Sequence, residues 1–428
     1  MNRFVHSVTL DTEKCVGCTN CIKHCPTQAI RVRDGKATII SERCIDCGEC
    51  IRICPHRAKK ARHDSLSMLK NFRYTVALPA PALYGQFHNL DDIDVILSGL
   101  LELGFDEIFE VARGAEIVSA ATRQMLASGE LKKPVISSAC PAVVRLIQVR
   151  FPELCAHVLP LKSPMEISAA LARQRVMTRT GLGADDIGVF FLSPCPAKVT
   201  DAHNPLGMPR SQVDGVLAIS DIYPALLGKM NKLDQVKAIN NAGLIGVSWS
   251  FIGGEAAGTL NENHLSADGI ENVIRVLEDL EDEKFADLDF IELNACAGGC
   301  VGGVLTAENG YVARARIKKL RKYLPVSCNR AEEIDDFSAM CWSQPLQENP
   351  ALRLAENVSD AMRLMQQAEA IFEHLPKLDC GSCGAPTCRA LAEDVALGLA
   401  DENDCIFRLK KLLHLSDDEK GETPNDGT

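Results

Sequence analysis

Between residues 75 and 330 the chain alternates short apolar runs with stretches of helical period. The runs at 74–78, 107–111, 134–137, 187–192, 215–219 and 285–293 read as strands. Apolar positions three and four apart predict helices over 115–127, 141–150, 221–230 and 268–282. Strands alternating with helices predict an α/β domain on largely parallel sheet. Residues 350–377 form one amphipathic stretch, whose apolar face is expected to pack on the main domain, and 389–399 is helical again. The end, SDDEKGETPNDGT, is polar and acidic and predicts disorder.

Composition narrows this picture. The 428 residues allow several domains, and a net charge of −11 argues against a nucleic-acid or anionic-membrane surface. No apolar run approaches the about 20 residues of a membrane span. The start, MNRFVHSVTLDTEKC, lacks the apolar segment of a signal peptide. The expected location is the cytoplasm, where 19 cysteines point to metal binding rather than disulfides.

Eight of those cysteines fall in two runs, Cys15-Val-Gly-Cys18-Thr-Asn-Cys21-Ile-Lys-His-Cys25-Pro26 and Cys44-Ile-Asp-Cys47-Gly-Glu-Cys50-Ile-Arg-Ile-Cys54-Pro55. The period is 29 residues. This duplication resembles the two-cluster bacterial ferredoxins, in which three thiolates curl round one [4Fe–4S] cubane and the fourth crosses to its neighbour. The resemblance assigns Cys15, Cys18, Cys21 and Cys54 to cluster 1, and Cys44, Cys47, Cys50 and Cys25 to cluster 2. Paired zinc sites are the alternative, although zinc ribbons need neither the third cysteine nor the Cys-Pro. Near the other end, Cys380-Gly-Ser-Cys383-Gly-Ala-Pro-Thr-Cys388 is followed by Cys405. It resembles the four-cysteine [4Fe–4S] module of corrinoid iron–sulfur proteins, again with zinc as the alternative.

Three further cysteine-bearing loops follow predicted strands: SSACPAV at 137–143, SPCPAKVTD at 193–201 and ELNACAGGCVGG at 292–303. Carboxyl ends of parallel strands converge, so Cys140, Cys195, Cys296 and Cys300 can meet, with ordinary buried thiols as the bland reading. Pro141 places Cys140 at a helix N-terminus, where the dipole favours thiolate. These loops resemble, in order, the TSCCPxW, MPCxxKxxE and ExMACxxGCxxGG motifs of the iron-only ([FeFe]) hydrogenases. Lys162-Ser163-Pro164-Met165 and Gly253-Gly254-Glu255-Ala256-Ala257 match connecting segments of that family. The resemblance implies an H-cluster, a [4Fe–4S] cubane on those four cysteines, with Cys300 bridging to a di-iron unit carrying carbon monoxide and cyanide. Lys198 takes the place of the lysine that bonds a cyanide. Together with three simple [4Fe–4S] clusters, this is the expected cofactor set.

The departures bear on function. Ala139 stands where fast members carry a proton-shuttling cysteine, and Ala121 and Thr122 replace two acidic residues that feed the proton path. Ser193 and Asn294 replace methionines near the cofactor, and Asp201 replaces a glutamate. General acid–base relay contributes roughly 10²–10⁴-fold to a rate, so a slow enzyme or another proton route is expected. The pattern resembles the sensory branch of the family. It implies H₂ as the small-molecule partner and a redox protein, a ferredoxin or a signalling or bifurcating subunit, as the macromolecular one. The alternative is a non-catalytic iron–sulfur carrier or cluster-assembly factor, because eukaryotic relatives keep these cysteines without being hydrogenases.

The expected organisation is a ferredoxin-like domain over 1–65, a hydrogenase-like α/β domain over 70–349, a helical connector and four-cysteine module over 350–415, and a disordered tail over 416–428. Cys155, Cys328 and Cys341 are left without an assignment.

Overall fold

Strand Ile187–Ser193 is buried at all seven positions. An apolar run of that kind needs cover on both faces, as parallel sheets have. It lies inside a four-stranded parallel sheet ordered Glu107–Ile108, Tyr74–Pro79, Ile187–Ser193, Gly215–Ala218. A second parallel sheet runs His264–Asp268, Phe290–Asn294, Val135–Ile136. The chain is thus α/β with parallel sheets, as its pattern predicts. The computed structural model describes residues 6–285, 287–331 and 337–412. The tail expected to be disordered lies outside the described residues.

The chain divides into two units. The first comprises Met1–Thr9, Cys44–Arg52 and Lys60–Asn349, and holds both parallel sheets. The second comprises Leu10–Arg43, Ile53–Lys59 and Pro350–Thr428. Among the described residues no helix is long and apolar enough to cross a membrane.

Helix Pro141–Arg150 starts and ends where predicted, with its proline at the first turn. Other boundaries shift. The strand at 107 stops at Ile108, and the apolar run's last predicted position, Val111, opens helix Val111–Ser128. The last strand begins only at Phe290. Strand His264–Asp268 was not legible, being half-buried throughout and lacking an apolar run. Helix Pro164–Thr180 was also missed, since its buried face includes Glu166 and Ser168.

In the second unit, strands Ile30–Arg33 and Lys36–Ile39 form an antiparallel hairpin. The connector is helical over Val358–Glu373 and capped by Asn357, which accepts the Asp360 N–H at 2.7 Å. Its inner face, carrying Ala368, Ile371 and Phe372, packs on the four-cysteine module, around helix Cys388–Ala396. The expectation that this face covers the main domain is corrected accordingly: the small module needs that apolar cover to close its own core. The module also approaches the hairpin so closely that a side chain at Gly384 (φ +81°) would lie 1.8 Å from the Val32 carbonyl oxygen. Val32 N–H donates to Gly384 O at 2.8 Å.

Candidate functional site

Cys140 and Cys195 each cap a helix that opens with proline, after strands Val135–Ile136 and Ile187–Ser193. Cys296 and Cys300 follow strand Phe290–Asn294. Strand ends from both sheets therefore supply thiols to one place. Burial, and then the neighbouring Cys140, push the Cys195 thiol up to about 11. Burial raises Cys296 and Cys300 as well, with Cys195 and Cys140 adding to it. Thiols that resist ionisation alone become thiolates when a metal replaces their protons.

Cys140, Cys195 and Cys300 line a cavity of about 740 Å³, together with Ala139, Lys198, Glu255, Glu292 and Asn294. Ala80, Pro81, Val111, Met165 and Phe191 give it an apolar wall. The Lys198 ammonium is held by Asp201 at 3.1 Å, with Lys198 partly buried and Asp201 buried. Ser193 does not line this cavity. Its hydroxyl donates to Cys195 O at 2.9 Å and accepts the Cys195 N–H at 3.2 Å, so it shapes the cysteine loop instead.

Sequence reading missed the carboxylates. Ser137 Oγ–H donates to Glu255 at 2.7 and 2.8 Å, and accepts the Ala139 N–H at 3.1 Å. Glu292 accepts from the backbone N–H groups of Gly253 and Ala256 at 3.0 and 2.8 Å, and from Asn294 Nδ2 at 3.0 Å. Burial, then the Glu292 charge, pushes Glu255 up to about 8, and burial pushes Glu292 up to about 7. A charged residue in the buried strand FIELN was the available signal. At the two positions where the resemblance implies acidic residues, Thr122 donates back to Val118 O at 2.9 Å and Ala121 is buried.

Cys15, Cys18, Cys21 and Cys54 line a second cavity, of about 350 Å³. Backbone N–H groups of Ala37 and Ala58 reach the sulfurs of Cys15 and Cys54 at 3.4 and 3.3 Å. Cys25 Sγ accepts the Ala29 N–H at 3.2 Å, the repeat-related counterpart of the Cys54 contact. Burial opposes ionisation of Cys54, but the N–H groups of Lys59, Ala58 and His56 hold its thiol below the usual range. Cys44, Cys47 and Cys50 belong to the first unit and Cys25 to the second. Cys47 packs into the same apolar core as Cys140 and Cys195, and Arg52 Nη2 donates to Gly302 O at 2.9 Å. In the four-cysteine module Cys388 and Cys405 are buried, and Cys383 is raised by burial and then by Cys405 and Cys380.

Four sulfurs on one tetrahedral zinc at about 2.3 Å lie about 3.8 Å apart. Among the described residues, the set of three ligand atoms within 4.8 Å of one another is His6, Cys44 and Asp46, and no three cysteines approach so closely. Among the described residues, then, no three cysteines are closed round one tetrahedral ion. A second observation supports an anionic occupant. Lys59 lines the cavity of Cys15, Cys18, Cys21 and Cys54, is 3% exposed, and its Nζ has no hydrogen-bond partner among the described residues. A lone buried ammonium is costly, whereas a cubane on four thiolates is an anion.

A sequence model described as "Iron only hydrogenase large subunit, C-terminal domain" matches residues 73–245 and 229–304. The chain belongs to the iron-only hydrogenase family. The "4Fe-4S dicluster domain" model of the ferredoxin type matches residues 7–55, and one described as "Putative Fe-S cluster" matches 375–407. The periplasmic [Fe] hydrogenase large subunit of Nitratidesulfovibrio vulgaris is 30% identical over 220 residues, 47% of this chain and 52% of its own length. Iron hydrogenase 1 of Clostridium pasteurianum is 26% identical over 376 residues, 69% of this chain and 64% of its own length. The chain therefore spans between about half and two thirds of these relatives. The cytosolic Fe-S cluster assembly factor NAR1 of Coccidioides immitis is 28% identical over 111 residues, 26% of this chain and 18% of its own. Among solved structures, the [FeFe]-hydrogenase HydA1 of Chlamydomonas reinhardtii has a TM-score of 0.47 at 18% identity, covering 64% of this chain and 91% of that one.

Proposed function

We propose that this chain activates H₂ reversibly at low turnover and passes electrons through its cubanes to a redox partner, as a hydrogen sensor or a subunit of a complex. The observation that carries the reading is one apolar cavity lined by cluster cysteines, Lys198 and two carboxylates, with alanine at 139. Cys140, Cys195, Cys296 and Cys300 would hold the H-cluster. That cofactor, when bound, supplies the metal that polarises H₂ and the amine that first takes the proton. The Lys198 ammonium, tethered by Asp201, is a charge-assisted donor suited to an anionic ligand such as cyanide.

Proton movement falls to the chain's own groups. With no thiol at 139, Glu255 is the titratable group that Ser137 connects to the Ala139 side of the cavity. Its raised pKa lets it hold and release a proton near neutrality. The other clusters serve as the electron path, and the packing of Cys47 against the Cys140 and Cys195 core supports that role for cluster 2.

The test is to mature the chain anaerobically with the hydrogenase maturation enzymes and record its infrared spectrum. Carbonyl and cyanide bands are expected. Their absence would leave the non-catalytic carrier or assembly factor, the reading that the partial similarity to NAR1 favours. In the matured chain, Ala139→Cys adds a thiol to the cavity wall and should raise H/D exchange by about 10²-fold, the lower end of what a relay contributes. An unchanged rate would mean that proton delivery does not limit turnover.

A further inference from the structure

The two cysteine repeats differ in charge where their backbones match. Position 59 corresponds to 30 and position 46 to 17 under the period of 29. The first repeat has Ile30 and Gly17, whereas the second has Lys59 and Asp46. Gly17 and Asp46 share a left-handed backbone, with φ of +68° and +56°. A side chain at Gly17 would lie 2.6 Å from the Gly35 carbonyl oxygen, so no acid fits there without a shift.

Each charge is buried against one cysteine set. Lys59 faces the cavity of Cys15, Cys18, Cys21 and Cys54, with its ammonium unpartnered among the described residues. Asp46 is 1% exposed and lies 3.8 Å from Cys44 Sγ. Its carboxylate is fixed by the N–H groups of Ser7 and Val8 at 3.0 and 2.9 Å, and by the hydroxyls of Ser7 and Thr200 at 3.1 and 2.6 Å. When Cys44 ligates a cluster its sulfur has no proton to give, and the contact sets anion against anion.

We propose that Lys59 and Asp46 split the two ferredoxin-type clusters electrostatically, making cluster 1 the electron store and cluster 2 the low-potential relay. Reduction adds one electron to a cluster, taking its core from 2+ to 1+ and adding one negative charge to the site. A buried cation beside cluster 1 stabilises that added charge, and a buried anion beside cluster 2 opposes it. Low local dielectric makes both effects larger than surface charges such as Lys36 can produce. The stored electron then sits beside the four-cysteine module, because Val32 lines the cluster 1 cavity and donates to Gly384 O at 2.8 Å. The inference rests on the cysteine assignments and not on the H-cluster.

The full chain, reconstituted with [4Fe–4S] clusters but without maturation enzymes, is titrated anaerobically with dithionite and followed by electron paramagnetic resonance. Failure of the hydrogenase reading thus leaves this test intact. The wild type should show two ferredoxin-type midpoints separated by at least tenfold in reduction equilibrium, which is 59 mV for a one-electron couple. Lys59→Met should lower the higher midpoint by tenfold or more, whereas Lys59→Arg should hold it within threefold. Asp46→Asn should raise the lower one by at least threefold. Coincident wild-type midpoints, or a Lys59→Met midpoint within threefold of wild type, would overturn the proposal. If Lys59→Met fails to load cluster 1, Asp46→Asn decides, and an unmoved lower midpoint rejects the split.

Discussion

Glu255→Gln in the matured chain is expected to cut H/D exchange by about 10²–10⁴-fold, while the carbonyl and cyanide bands and the iron content stay in place. Glutamine keeps the shape and a hydrogen bond to Ser137 but cannot release a proton. The pH profile gives a second readout. Burial raises Glu255 to about 8 and Glu292 to about 7, so the pair carries one shared proton chiefly between these values. Exchange should peak in that window, and the variant should lose the peak. Stability depends on the same proton. A carboxyl with a raised folded pKa binds a proton in the folded chain that the unfolded chain has released, so stability falls as pH rises from the ordinary glutamate range toward 8. In the cluster-free chain Glu255→Gln should therefore match wild type at low pH and become the more stable of the two as pH rises through that range. Equal exchange rates in variant and wild type would remove Glu255 from the proton route.

The reason these carboxylates escaped the sequence reading is physical. In the ferredoxin-type repeats and the four-cysteine module most ligand cysteines are close in sequence, so those groups stand out without knowledge of the fold. The strand leading to Cys195 stands out because its residues 187–192 form an unbroken apolar run, buried along its whole length. Glu255 and Glu292 come from different segments and acquire their chemistry only where a cavity, a serine and each other remove them from water. Lys59 is a further case. In KKARHD it reads as one of several surface cations, and burial at 3% exposure singles it out. Ser193 shows the converse, a polar residue beside a ligand that serves the loop backbone and not the cavity.

The four-cysteine module should come loose when Asp394 is replaced by asparagine. Its carboxylate receives Arg31 through Nε at 2.6 Å and Nη2 at 3.0 Å, and Arg33 through Nη2 at 3.0 Å. The Arg31 and Asp394 side chains are only 6% and 8% exposed, so solvent screening is slight. Arg43, lowered first by burial and then by Arg31, adds a third cation to this corner. Asparagine leaves these cations without their central anion, and breaking a buried pair from one side costs about 3–5 kcal/mol. At about 1.4 kcal/mol per tenfold, the open state gains roughly two to three and a half orders of magnitude. Hydrogen exchange across 380–396 should accelerate by that factor, with faster loss of iron from this cluster. Glu369→Gln is the control: its pair with Arg389 is half-exposed, and such pairs contribute under about 1 kcal/mol. Protection in Asp394→Asn within threefold of wild type would mean that the module is held by its apolar contacts and the Val32–Gly384 bond, with the arginine pair contributing little to its docking.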